Sequence, residues 1–176
     1  PGLIELEGDV QRRAIARQIF QGRIDAEDLP TTTRMMNWDE LRNLKARGHV
    51  IGCHGMRHRR LTEVDKEELI EEVDAAGDLL DRRLVQDTDW YAYAFGDIGS
   101  IDRSAIEAIS RRFRYCRSGI RGANGSRTNR MAFCADSLSP DAPLSYQKLL
   151  IEGAVDIVYG RRRRTLEAFA AKAAIT

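Results

Sequence analysis

Apolar positions along the chain recur at helical spacing in several stretches, and shorter apolar or aromatic runs lie between them. The helical stretches are residues 9–21, 37–47, 62–84, 102–112 and 145–152, and an alanine-rich helix closes the chain. The runs typical of strands are residues 49–53, 89–95, 113–117, 131–134 and 155–159. Helices that alternate with short strands predict an α/β fold, with a mainly parallel sheet or barrel and the helices outside it.

Two of the predicted helices begin with capping signals. Asn37 is a good N-cap residue and Glu40 follows it three residues later, which is the spacing of a capping box. Gly48 predicts the C-terminal end of that helix. Thr62 with Asp65 resembles a second cap, at the entry to the long acidic helix. A helix that ends in glycine directly before an apolar run indicates an α-to-β unit.

The stretch 49–58 contains all three histidines of the chain, His49, His54 and His58. His54 follows the predicted strand 49–53, and chemistry in parallel α/β folds collects at the C-terminal ends of strands. Neutral imidazole is a common zinc ligand, and two histidines four residues apart can reach one ion from a tight loop. His54 and His58 are therefore candidate metal ligands, whereas His49 begins the strand at the opposite end. The alternative is that all three side chains are simply solvated.

The composition is that of a soluble globular protein, with 43% hydrophobic residues, 31% charged residues and a net charge of +1. The 176 residues fit a single domain, and the small net charge supplies no general field for nucleic acid or anionic membranes. No apolar run approaches the roughly 20 residues that span a bilayer, and no signal peptide is recognisable. Three widely spaced cysteines do not form a disulfide framework, which favours a cytoplasmic location. Cys53 points away from His54 on a strand, so we interpret it as a core residue.

The residues from Met36 to His54, with His58 and the Leu61-Thr62 pair after it, resemble the centre of the polysaccharide deacetylase (NodB-homology) domain, carbohydrate esterase family four. The aromatic run from Asp89 to Gly96 resembles a further strand of that family. The resemblance implies a distorted (β/α) barrel with fewer than eight strands. It also implies metal-dependent hydrolysis of N- or O-linked acetyl groups on a polysaccharide or oligosaccharide. The ion, which we expect to be zinc, would be held by His54, His58 and an aspartate.

The family's first strand, which supplies one aspartate as base and another as metal ligand, has no counterpart in the chain, so no catalytic residue is assigned. The opening residues 1–6 resemble the end of the family's second strand. We therefore expect one domain, 1–176, that is truncated at its N-terminus, with a barrel missing its first strands. An exposed sheet edge would then favour a homodimer, and a longer N-terminus would be compatible with export to the cell envelope. Gly55, Arg59 and Ala94 also replace residues that are usual in the family's motifs.

Candidate substrate contacts lie in the aromatic run and in the loop that follows the next strand. Tyr93 and Phe95 could stack on a sugar, although alternate residues of a strand must face the core. Arg121 lies in a glycine-rich loop, and together with its neighbours it could grip an anionic sugar. Loop solubility explains these arginines equally well. The neighbours of Arg121 in this respect are Arg117, Arg127 and Arg130.

Three functions stay open at this point. The first is a metal-dependent deacetylase, and the second is a catalytically inactive relative that binds glycans or acts as a scaffold. The third is a protein that binds nucleic acid or membrane surfaces through Arg161 to Arg164. These four arginines can equally form a solvated helix face.

Overall fold

The computed structural model describes residues 35–154 and 156–173. The predicted helix at 9–21 therefore lies outside the described residues. The elements in chain order are α1 (Trp38–Ala46), α2 (Lys66–Ile70), a π-helical segment (Glu71–Ala75), α3 (Ala76–Leu84), β1 (Trp90–Ala92), a 3-10 turn (Ile98–Ser100), α4 (Arg103–Arg112), β2 (Tyr115–Arg117), α5 (Leu144–Ile151) and α6 (Asp156–Ala173). Because α2, the π-helical segment and α3 follow one another directly, they form the long helix that the sequence predicts.

The sheet is parallel, as predicted, and β1 pairs with β2 at its centre. On one side, Cys53 forms a parallel bridge with Tyr91, and on the other side Phe133 forms one with Arg117. The predicted strands 49–53 and 131–134 are thus each reduced to a single bridging residue. The buried strand expected at 49–53 is wrong in this respect, because Val50 is 77% exposed and only the end of the run meets the sheet.

The two faces of the sheet have different surroundings, because successive side chains of a strand point to opposite faces. Cys53, Tyr91 and Cys116 are all at most 2% exposed and belong to the main hydrophobic core. Helix α4 contributes to the same core, since it packs against the π-helical segment, β2 and α6. On the other face, Trp90 stacks on Tyr115 with ring centroids 4.7 Å apart, and both are partly exposed. We call this second side the inner face.

Helix α1 begins with the predicted capping box. The backbone N–H of Glu40 donates to Asn37 Oδ1 at 2.9 Å, and the backbone N–H of Asn37 donates to Glu40 Oε2 at 2.8 Å. The cap of α2 is Asp65, whose carboxylate accepts from the backbone N–H of Glu68 at 2.9 Å. The prediction that Thr62 starts this helix is wrong, because residues 61–64 form turns and bends ahead of the cap.

The strand predicted at 155–159 is wrong, because the residues from Asp156 onward belong to α6. Its apolar side chains Ile157 and Val158 are 88% and 76% exposed, so they pack into no sheet. The pair Arg163 Nη1–Asp156 Oδ2, at 3.0 Å, ties the first turn of α6 to a residue about two turns further along the helix. None of the helices in the described ranges is long and apolar enough to cross a lipid bilayer.

Candidate functional site

His54 lies at the C-terminal edge of the sheet, one residue after the bridge that Cys53 makes. Its Nδ1 is 2.9 Å from the carbonyl oxygen of Ala92, the last residue of β1. A carbonyl can only accept a hydrogen bond, so Nδ1 carries the proton and donates it. In the neutral imidazole Nε2 then keeps its lone pair, which is the tautomer that a metal-binding imidazole needs. The side chain is exposed, so this nitrogen is accessible.

His58 stands beside His54 on the loop that leaves the sheet. The two ring centroids are 5.0 Å apart and the ring planes meet at 74°. The backbone of His58 has φ of 60°, in the left-handed region that residues other than glycine seldom adopt. Its ring also contacts the ring of Phe95 edge-on, with the centroids 5.0 Å apart. A strained backbone that points an imidazole at a second imidazole is typical of a functional site.

The loop between the two histidines is held by a buried carboxylate, that of Glu72 in the π-helical segment. Glu72 is 2% exposed. Its Oε2 accepts from the backbone N–H of Met56 at 3.1 Å, and its Oε1 accepts from that of Arg57 at 2.8 Å. Burial raises the pKa of the Glu72 carboxyl, and these backbone N–H groups offset part of the rise. The carboxylate therefore orders the loop through its backbone.

Gly55 explains how the carboxylate comes so close to the loop. A Cβ at Gly55 would lie 2.7 Å from Glu72 Oε2, and the residue has φ of +87°. Both the contact and the left-handed backbone favour glycine at this position. Glycine at position 55 therefore allows the Glu72 carboxylate to approach the loop backbone closely.

A groove of about 490 Å³ runs along the inner face of the sheet and opens beside His54. Its wall is formed by residues of three neighbouring extended segments. The lining residues are Val50, Gly52, Cys53, His54, Trp90, Tyr91, Ala92 and Arg117. A groove of this kind, with an available imidazole nitrogen at one end, can hold an elongated ligand whose reacting group lies at the histidines.

The donor set of the site fits a divalent metal of the zinc class in part. His54 and His58 supply two nitrogen ligands, and a catalytic zinc usually takes a third protein ligand and keeps one position open. Within the described ranges, no group of three or more His, Cys, Asp or Glu side chains is placed to hold a metal ion. A third ligand would therefore have to come from outside the described residues.

Comparison with known families identifies the family to which the chain belongs. The sequence model of the polysaccharide deacetylase family matches residues 19–131, which include both histidines, Glu72 and the two strands. The chain belongs to the polysaccharide deacetylase family. The resemblance read from Met36 to His54 is thereby confirmed. No curated protein sequence matches the chain.

Two solved deacetylase structures resemble this one in fold. A deacetylase of Streptococcus pyogenes, PplD in complex with acetate, superposes with a TM-score of 0.57 at 16% identity and covers 63% of this chain and 48% of its own. A polysaccharide deacetylase from Bacillus cereus superposes with a TM-score of 0.58 at 13% identity and covers 79% of this chain and 47% of its own. The chain therefore spans about half the length of either structure. Together with the two-strand parallel sheet, these likenesses confirm that the described residues form part of a barrel of the deacetylase type.

The fold places the three predicted substrate contacts of this deacetylase domain in different surroundings. Tyr93 is only 5% exposed and lies in the core, which favours a packing role over contact with a sugar. Arg121 is half-buried, and its Nη1 is 3.9 Å from Asp136 Oδ1 rather than on the wall of the groove. Phe95 is at the correct edge of the sheet, beside His58. Substrate contact by Phe95 and Arg121 stays a prediction.

Phe95 is held from both sides. His58 contacts it on one side, and the guanidinium carbon of Arg60 lies 4.3 Å from its ring centroid. Arg60 in turn bonds to Ser100 Oγ and lies 3.5 Å from Asp97 Oδ2. Burial alone would raise the pKa of Asp97, but hydrogen bonds with Ser100 and neighbouring backbone, together with the charge of Arg60, lower it. Phe95 therefore fixes the orientation of His58 as part of a packed layer.

Cys53 has no role as a nucleophile in this arrangement. It is 2% exposed, and burial raises the pKa of its thiol to about 11, so the thiolate is scarce at neutral pH. The interpretation of Cys53 as a core residue is confirmed.

Reasoning from the sequence missed Glu72, which the structure places at the site. Glu72 lies three residues after Leu69 and four before Ala76, so it sits within the apolar stripe of the long helix. A charged residue on a buried stripe was the available signal, because such a residue needs buried partners. Trp90 and Arg117 belong to the aromatic run and to the arginine set that the sequence offers as sugar contacts, and strand pairing places these two on the groove.

Proposed function

We propose that this chain forms part of a divalent-metal-dependent deacetylase that removes N- or O-linked acetyl groups from a polysaccharide, with His54 and His58 as metal ligands. The observation that carries the proposal is the hydrogen bond from His54 Nδ1 to the Ala92 carbonyl. It presents Nε2 next to the ring of His58, whose centroid is 5.0 Å from that of His54. Membership of the polysaccharide deacetylase family supports the reaction class.

The residues of the chain prepare this site before a substrate arrives. A metal of the zinc class would polarise the acetyl carbonyl and lower the pKa of a bound water molecule. The Ala92 carbonyl fixes the tautomer of His54, and the Phe95 ring limits the rotation of His58. Glu72 accepts hydrogen bonds from the loop backbone between the two histidines, and these bonds help to fix the distance between the two imidazoles. We propose zinc because a site with two imidazoles suits it.

The proposal also requires a carboxylate ligand and a general base. No acidic side chain of the described ranges joins the two histidines in a metal-holding group. We therefore propose that both carboxylates come from residues outside those ranges, as the aspartates of the family's first strand would. A base within hydrogen-bond reach of the attacking water is a geometric requirement of this chemistry.

The proposal can be tested by zinc titration and by acetate release. Zinc affinity measured by calorimetry should fall at least tenfold in His54→Ala and in His58→Ala. His49→Ala is the matched control, because His49 is exposed and lies at the other end of the same run. Acetate release from acetylated chitooligosaccharides should be measured with the upstream coding sequence included, and His54→Ala should abolish it.

Each outcome of these measurements decides between the functions. Zinc affinity that is unchanged in His54→Ala and His58→Ala would refute the assignment of the ligands. Binding of oligosaccharide without acetate release would instead favour the glycan-binding alternative. The homodimer, the boundaries of the domain and the cellular compartment stay predictions.

A further inference from the structure

Arg117 occupies a position across the sheet from His54. It is the last residue of β2 and pairs in register with Ala92. Ala92 is also the residue whose carbonyl holds His54. His54 and Arg117 therefore flank Ala92 at the same edge of the sheet, and both line the groove.

The guanidinium of Arg117 differs in its contacts from those of Arg112, Arg121 and Arg163. Within the described ranges, it has no ion pair or side-chain hydrogen bond, and the residue is exposed. Arg112 and Arg163 are each paired with an aspartate, and Arg121 has Asp136 at 3.9 Å. Arg117 thus presents five unengaged donors to the groove.

The rest of the groove suits a chain of sugars. Two strand spacings separate the backbones of His54 and Arg117, which amounts to about 10 Å. Ala92 stands between them with only a methyl group, so a ligand can pass over it. Trp90 lines the same groove and is partly exposed, so its ring can pack against the apolar face of a sugar.

We propose that Arg117 binds the carboxylate of an acidic, acetylated saccharide whose acetyl group lies at His54 and His58. This inference rests on the proposed function, because it takes the histidines as the reacting end of the groove. A guanidinium and a carboxylate form paired, charge-assisted hydrogen bonds, which select an acidic polymer over a neutral one. The carboxylate can belong to a uronic acid linked to the acetylated sugar, or to a lactyl ether on that sugar itself.

The test compares three tetrasaccharides by calorimetry at low ionic strength. One alternates N-acetylglucosamine with glucuronate, one contains N-acetylmuramic acid, and the third is the neutral N-acetylchitotetraose. We expect the native chain to bind at least one acidic ligand about tenfold more tightly than the neutral one, the fold-change of a single charge-assisted hydrogen bond at an exposed site. The acidic ligand that binds more tightly identifies the source of the carboxylate.

Substitutions then assign the preference to Arg117. Arg117→Gln should remove the preference and leave binding of N-acetylchitotetraose within twofold, and Arg117→Lys should keep part of it. Arg114→Gln is the matched control, because it removes the same charge just before the first residue of β2. Arg114 Nη1 lies there 3.8 Å from Asp89 Oδ2. Its variant should bind all three ligands as the native chain does.

Two results would overturn the inference. One is equal affinity of the native chain for acidic and neutral ligands, including no binding of either. The other is an Arg117→Gln variant that keeps the preference or weakens all ligands equally. His54→Ala separates this inference from the proposed function, because it should remove zinc affinity while the preference for acid remains. A chain that prefers the acidic ligand but binds no zinc would refute the metal site alone.

Discussion

Glu72 supports the histidine loop through two backbone hydrogen bonds, and removing its carboxylate should therefore weaken both the fold and the metal site. In Glu72→Leu the N–H groups of Met56 and Arg57 lose their acceptor. A buried donor left without a partner costs about 1–3 kcal/mol, so the two together cost about 2–6 kcal/mol. Leucine avoids the free-energy cost of removing a carboxylate from water, and this gain offsets part of the loss. We therefore expect a net destabilisation of about 2–4 kcal/mol.

Glu72→Gln gives a graded version of the same perturbation. Its amide keeps one acceptor oxygen but turns an NH₂ group toward the second donor, so about half of the loss should remain. Glu71→Gln is the matched control, because Glu71 is the preceding residue and forms a more exposed pair with the Arg57 side chain at 2.6 Å. We expect that control to change stability by less than about 1 kcal/mol.

The assay combines urea unfolding, followed by circular dichroism, with zinc titration of each folded variant. Glu72→Gln should lower zinc affinity through His54 and His58 even at low urea, where the variant is folded. Gly55→Ala should destabilise the native chain, because its methyl group would meet Glu72 Oε2 at 2.7 Å. The same substitution should cost less in the Glu72→Ala background. Native-like stability and zinc affinity in Glu72→Leu would show that the carboxylate does not hold the loop.

Three further predictions concern the support of the fold. Asp81 has a lowered pKa, because hydrogen bonds to it, including one from Arg112, outweigh the effect of burial. The ionised Asp81 carboxylate therefore stabilises the fold at pH values above its unfolded pKa of about 3.8. The free energy of unfolding that the native chain has in excess of Asp81→Asn should vanish as the pH falls through the lower folded pKa. A difference that does not depend on pH, or an equal effect of Asp78→Asn, would contradict this. Val85 has φ of 49°, in the left-handed region that favours glycine, and its side chain is 85% exposed. Val85→Gly should therefore raise the free energy of unfolding, measured in urea, by about 1 kcal/mol. A lower free energy of unfolding in the variant would show that no backbone strain is relieved. Native Cys53 should resist iodoacetamide at pH 7 in mass spectrometry, and rapid labelling without denaturant would contradict its assignment to the core.

Local chemistry made parts of the fold predictable from the sequence. The capping box of Asn37 and Glu40 specifies the start of α1 with atoms only three residues apart, and the structure has it at the predicted place. His54 and His58 are four residues apart, so the proximity of their rings also follows from a short stretch of sequence. By contrast, a strand is predicted at 155–159 from its apolar side chains, whereas residues 156–159 are helical and pair with no sheet strand within the described ranges.

The remaining parts of the site depend on contacts between distant segments. The distance between Glu72 and the loop at Met56 is set by packing of the long helix on the sheet. Arg117 reaches the groove only because the register pairs it with Ala92. Four arginines near the glycine-rich loop were equal candidates in the sequence, and strand pairing alone separates Arg117 from Arg121.

The π-helical segment, Glu71–Ala75, has a consequence for how this helix tolerates change. A π turn contains about one residue more than an α-helical turn, so the residues on its two sides are rotated by about 100° relative to an unbroken helix. The rotation lets Glu72 face the histidine loop while Ala76 and Gly77 stay buried. The wider turn therefore sets the direction of the loop-supporting carboxylate relative to the buried face of α3. Deletion of a single residue in this segment would restore an unbroken α-helix and rotate α3 by about 100° relative to α2, so that Glu72 and the buried face of α3 would no longer keep their present contacts together.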